Sequence, residues 1–81
     1  MTITLNCLEE GKTAVVKEIH LSNYVRRRLM ALGLLINSRL KVLRKAPLKG
    51  AILIGVRGCP LIISHDLAGK IVVEEWNIGN D

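Results

Sequence analysis

Apolar and polar positions alternate along most of this chain in short runs with a period of two, broken once by a stretch with helical spacing. Thr2-Ile3-Thr4-Leu5 reads as a short first strand or a leader, and Leu8-Glu9-Glu10-Gly11-Lys12 as a turn, with Gly11 supplying backbone freedom. Thr13 to Ile19 is rich in β-branched residues and predicts a strand. His20-Leu21-Ser22 leads into a helix predicted from about Asn23 to Leu32, where Val25, Leu29 and Leu32 recur at i, i+4 and i+7 as one apolar stripe. Ser22 or Asn23 can cap its start, because a short side-chain oxygen there accepts from an otherwise orphan backbone N–H. Gly33 follows the last periodic residue and can adopt the left-handed conformation that ends a helix, with Leu34 folding back.

Asn37-Ser38 then turns the chain into a strand, Arg39 to Arg44, whose basic and apolar residues alternate up to Val42. Pro47 cannot donate to a ladder and ends that strand, leaving Leu48-Lys49-Gly50 as a loop. Ala51 to Val56 and Leu61 to Ser64 are strands of a hairpin whose tight turn is Arg57-Gly58-Cys59-Pro60. His65 to Gly69 forms a short helical turn or loop, Lys70 to Glu74 the last strand, and Ile78 to Asp81 a frayed tail. About five short strands with one inserted α-helix define a mainly β fold, a small SH3-like, partly open barrel, in a single domain over residues 1–81.

Strand parity assigns Leu40, Val42, Ile52, Ile54, Val56, Leu61, Ile63, Ile71 and Val73 to the core. The opposite face carries polar Lys41, Arg57 and Ser64, but also Leu43, Leu53, Ile62 and Val72. Aliphatics on the outside of a barrel wall are either a contact surface or are covered by the helix.

Composition sharpens this picture. The chain is 81 residues long and 49% hydrophobic, with no Phe, one Tyr and one Trp, so the core must be built from Leu, Ile and Val. That scarcity of rings counts against a surface that stacks nucleic-acid bases. Cys7 and Cys59 lie far apart and fit no CxxC pattern, which points to a reducing cytoplasm rather than a disulfide scaffold. The N-terminus lacks the basic and apolar regions of a secretory signal, and no run approaches the roughly eighteen apolar residues of a spanning helix. A soluble protein is expected, although its mean hydropathy is +0.32.

Charge is segregated. Nine basic residues (Arg26, Arg27, Arg28, Arg39, Lys41, Arg44, Lys45, Lys49 and Arg57) and no acidic ones fall between Arg26 and Arg57, while the remainder holds three basic and seven acidic residues, for a net charge of +5. Such a block is either an electrostatic surface for an acidic partner (nucleic acid, anionic lipid or protein) or a solvated face that keeps an apolar domain in solution. Three successive arginines span most of a helical turn, so at least two face outward.

No catalytic set emerges, so the chain is not expected to be an enzyme. Ser64-His65-Asp66 has the letters of a triad, but adjacent residues point in different directions and a local hydrogen-bonded loop accounts for them. No glycine loop has the spacing of a phosphate cradle. Cys7, Cys59, His20 and His65 are the residues that could ligate a transition metal; Cys59 and His65 flank one strand, yet two ligands make a weak site. No metal or other cofactor is expected.

The run Leu29-x-x-Leu32-Gly33-Leu34, the strand Leu40-x-Val42-x-Arg44 and then Ala46-Pro47-Leu48 resemble the ferrous-iron-transport protein A family, FeoA. The resemblance extends to Leu8-x-x-Gly11-x-x-Ala14-x-Val16-x-x-Ile19 and, at the far end, to Leu61-x-Ile63 and Ala68-x-x-Ile71-x-Val73. Ile36-Asn37, Lys49-Gly50-Ala51 and Ser64 depart from the family pattern, which often has Pro-Gly, Gly-Asp-Pro and Arg there. The resemblance implies an SH3-like barrel and a non-enzymatic, cytoplasmic accessory role in ferrous iron uptake. It further implies docking at the inner face of the membrane on the GTPase transporter FeoB, no DNA contact, and leaves homo-oligomerisation open. Arg26, Arg27, Arg28, Lys45, Leu48 and Leu53 are the residues expected to make the partner contact. The competing expectation is a small basic SH3-like protein associated with RNA or the ribosome.

Overall fold

The computed structural model describes residues 1–76, so the expected frayed tail at Ile78 to Asp81 lies outside the described residues. Along the chain run β1 (Thr2–Thr4), a 3₁₀ turn (Leu5–Cys7), β2 (Thr13–Ile19), α1 (Asn23–Ala31), β3 (Arg39–Lys45), β4 (Ile52–Val56), β5 (Cys59–Ile63), α2 (His65–Ala68) and β6 (Ile71–Glu75). The strands form one antiparallel sheet in the order β1-β6-β2-β3-β4-β5, coiled into a partly open SH3-like barrel. Its interior is aliphatic. Leu5, Leu8, Ala14, Val16, Leu29, Leu34, Leu40, Val42, Ile52, Ile54, Val56, Ile63, Ala68, Ile71 and Val73 are buried in one cluster, and Leu61 packs against it half-buried.

The sheet has six strands where about five were expected. Thr2–Thr4 is a genuine strand, since Ile3 lies opposite Val73 on β6; three residues are too few for periodicity to separate it from a leader. The hairpin turn is also tighter than expected. Only Arg57 and Gly58 form it, with φ of 53° and 79°, the geometry of a two-residue turn matched to strand twist. β5 therefore begins at Cys59 and contains Pro60, which is tolerated because β5 is an edge strand and needs no N–H there.

Ser22 caps α1, its hydroxyl accepting from the Val25 N–H at 3.4 Å. The helix ends on a glycine turn: the Gly33 N–H donates to the Met30 carbonyl and the Leu34 N–H to the Leu29 carbonyl, both at 2.9 Å, with Gly33 at φ +98°. This corrects the expected stripe. Leu32 caps the C-terminus and is 55% exposed, and Leu34, swung back by the turn, takes the inward position instead.

Nor does the helix cover the outer aliphatics. Leu29 joins the core cluster and Val25 packs against it, while Leu43 (45%) and Ile62 (71%) stay exposed and Leu53 and Val72 half-buried on the outer wall. A register shift between Val42 and Arg44 leaves Leu43 without a ladder partner, and its side chain lies over Gly55, where a Cβ would meet Leu43 Cδ1 at 3.4 Å.

Candidate docking surfaces

Antiparallel pairing fixes which residues can act together. Leu40 lies opposite Val56, and Val56 opposite Cys59, at one end of the sheet; Lys45, Ile52 and Ile63 share a rung at the other. Because α1 connects Ile19 to Arg39, it sits at the first of these ends.

At that helix end Arg26, Arg27 and Arg28 are all exposed. Arg28 donates to the Tyr24 hydroxyl at 3.2 Å and lies 5.8 Å from its ring centroid. Arg26 and Met30, one turn apart, form one wall of a shallow groove of about 240 Å³ completed by Ile19, Leu35 and Ile36. Arg57 joins this end, its Cδ 3.9 Å from where a Gly33 Cβ would stand. Arg39 stacks on Trp76, 3.7 Å from the ring centroid. Among the described residues none of the nine block cations forms an ion pair. Three carboxylates find partners elsewhere: Glu75 pairs with Lys12 and Glu74 with Lys17, both at 3.5 Å, Glu74 also with the Met1 amino group at 3.7 Å, and Glu18 is hydrogen-bonded to His20 at 2.6 Å.

The β3–β4 hairpin tip lies at the opposite end. Leu48 and Lys49 both hold left-handed backbone, φ 59° and 57°, closed by the Gly50 N–H donating to the Pro47 carbonyl at 3.2 Å. Leu48 is 97% exposed. Gly50 is required here, since a Cβ would come 2.8 Å from that of Ala46. Lys45 is tied down within the chain: its ammonium donates to the Asn6 carbonyl at 2.8 Å, and its backbone N–H donates to Glu10 Oε2 at 3.0 Å. Leu53 shares a rung with Arg44 and Ile62 on the outer wall. The expected contact residues thus fall into two groups, Arg26–Arg28 at one end and Lys45, Leu48 and Leu53 toward the other.

The residues considered for chemistry are dispersed. The Ser64 hydroxyl accepts from the Leu67 N–H at 3.2 Å and caps α2, so it serves the backbone. Cys59 and His65 stand at opposite ends of β5, separated by an extended strand that rises about 3.3 Å per residue, and do not approach each other. Cys7 accepts from the Thr4 hydroxyl at 3.5 Å. Among the described residues no three of His, Cys, Asp and Glu converge on a point that could hold a metal ion. The groove at the helix end was not read from the sequence. Its signal was the run Leu34-Leu35-Ile36 after the glycine stop, of which only Leu34 is fully buried while Leu35 and Ile36 are left to line an opening.

A six-stranded, coiled antiparallel sheet with one helix inserted after the second strand places the chain among small SH3-like domains. Residues 3–75 match the FeoA domain family, and the chain belongs to that family. It is 34% identical over 73 residues to a Methanocaldococcus jannaschii protein named as a candidate Fe(2+) transport protein A, an alignment covering 90% of this chain and 87% of that one. The solution structure of FeoA from Chlorobium tepidum matches with a TM-score of 0.85 at 32% identity, covering 98% of this chain and 85% of the other. The crystal structure of an iron uptake regulatory protein, FeoA, matches at 0.82 and 28% identity, covering 94% and 99%. A manganese-dependent transcriptional repressor contains the same fold over 42% of its length, with a TM-score of 0.83 at 22% identity and 93% of this chain covered.

Proposed function

We propose that this protein is a non-enzymatic accessory subunit of ferrous iron uptake that docks, from the cytoplasmic side, on the membrane GTPase transporter FeoB. Membership of the FeoA family and the name of the archaeal relative supply the iron-transport context. No helix of the described residues is long and apolar enough to cross a membrane. The observation that carries the docking is the helix end. Arg26, Arg27 and Arg28 project beside an apolar groove, and among the described residues no carboxylate forms an ion pair with any of them. Apolar walls with a guanidinium at the rim fit an aliphatic side chain flanked by a carboxylate, and the unpaired arginines steer an acidic partner toward it. Leu48 and Leu53, at and near the far end, form a second contact if the partner spans the molecule.

The test is titration of the full chain into detergent-solubilised FeoB with a calorimetric or fluorescence readout. Arg26→Glu and Met30→Glu should each weaken binding at least tenfold, and the association rate should fall as salt rises. Absence of binding by the wild-type chain, or capture of nuclease-sensitive ribosomal material in its place, refutes the docking.

A further inference from the structure

Among the described residues β5 ends the sheet with β4 as its single ladder partner, so one of its edges is open. The residues flanking a two-residue hairpin turn exchange both backbone hydrogen bonds, and the pattern then alternates. Cys59, Leu61 and Ile63 therefore bond to β4, and Pro60, Ile62 and Ser64 turn their backbone groups to the open side. Pro60 agrees with this phase, because it has no N–H to give the ladder. The open edge offers the Pro60 carbonyl, the Ile62 N–H and carbonyl, and the Ser64 N–H. The Ser64 carbonyl already accepts from the Ala68 N–H at 3.0 Å.

We propose that this edge pairs antiparallel with β5 of a second copy of the chain, on a two-fold axis at Ile62. In that register the two Ile62 residues exchange N–H···O=C bonds, and the Ser64 N–H of each copy donates to the Pro60 carbonyl of the other. The donor that Pro60 lacks falls opposite the Ser64 carbonyl, which is already satisfied within its own chain. Sliding the axis to Leu61 points the Ile62 carbonyl at a proline with no hydrogen, and sliding it to Ile63 aims the Ile62 N–H at the occupied Ser64 carbonyl. The proline selects the register.

Side chains agree with the backbone. Residues directly opposite in a ladder project to the same face, so the Ile62 side chains, 71% exposed in the single chain, meet on the outer wall beside Leu53. Residues 50–56 and 58–64 carry no charged side chain, so two copies of a +5 protein can join here without bringing cations together. Beyond the strand ends the same register brings the Arg57-Gly58 turn of one copy alongside His65-Asp66 of the other. Both Arg57 and Asp66 are exposed, and neither has an ion pair among the described residues. A guanidinium and a carboxylate thus face each other twice across the axis, which favours a second copy over an unrelated segment.

Sedimentation of the full chain from low micromolar to near-millimolar concentration tests this, together with amide exchange of ¹⁵N-labelled protein. A monomer–dimer equilibrium is expected, with slowed exchange on concentrating at the Ile62 and Ser64 amides and an unchanged rate at Leu61. Ile62→Pro removes the central donor and should weaken self-association at least tenfold. Ile62→Lys, which sets two cations against each other on the axis, should do the same, with thermal melts of dilute samples confirming that each variant is folded. Arg57→Asp should weaken the dimer and the further change Asp66→Arg should restore it. A chain that stays monomeric throughout, a dimer indifferent to both Ile62 variants, or protection of Ile62 that appears only when an extended segment of another protein is added overturns the proposal.

Discussion

The β3–β4 tip carries two non-glycine residues in left-handed backbone, and the energy stored there is open to measurement. Replacing Leu48-Lys49 with Asn-Gly installs the pair that this turn type favours. For an ordinary L-residue the left-handed conformation costs about 1–2 kcal/mol. Both Leu48 and Lys49 hold it, at φ 59° and 57°. Taking the low end for each gives about 2 kcal/mol relieved, against a loss of about 0.5–1 kcal/mol because glycine gives up more backbone entropy on folding. Leu48 is 97% exposed, so its removal forfeits almost no burial. The net expectation is a gain of about 1 kcal/mol, which for a domain of this size raises Tm by about 4–8 °C. Circular-dichroism melts and urea titration read the change, the midpoint moving up at unchanged slope. A Tm equal to or below that of the parent chain would refute the strain account. A stabilised variant that also loses transporter affinity would identify the strain as the cost of presenting Leu48.

Three further outcomes follow from the same structure. Leu34→Ala empties a fully buried position and should cost about 2–5 kcal/mol by urea denaturation, whereas Leu32→Ala, at a 55% exposed position, should cost well under 1 kcal/mol. Ser64→Ala removes the α2 cap and should lower stability by about 1 kcal/mol in urea denaturation, the loss expected of a capping hydroxyl. Arg39→Ala unstacks the guanidinium from Trp76, the single tryptophan, and should shift its fluorescence emission at a stability cost of about 0.5–1 kcal/mol.

Much of the barrel was legible because burial and backbone geometry leave period-two and glycine signals in neighbouring residues. Leu40, Val42, Ile52, Ile54, Val56, Ile63, Ile71 and Val73 all lie where alternation placed them, and Gly33 stops the helix as its position implied. Leu32 was misplaced because periodicity continues smoothly through a residue whose N–H still bonds helically while its side chain has left the core. Pro60 was assigned to the turn because proline's local effect is visible in sequence and edge position is not. The contact residues were harder still. Arg26–Arg28 and Leu48 look like one basic, aliphatic stretch when read along the chain, but antiparallel pairing carries them to opposite ends of the sheet. Lys45 reads as a free cation until Asn6, thirty-nine positions earlier, is found beneath its ammonium.

The turn at Gly33 sets both the core and the groove through a single backbone angle. Its left-handed φ sends Leu34 into the barrel and, by the same rotation, leaves Leu35 and Ile36 lining the groove beside Arg26. Side chains at positions 35 and 36 can therefore reshape the groove at less cost to the core than any side chain at position 33, where a Cβ would strain the left-handed backbone itself.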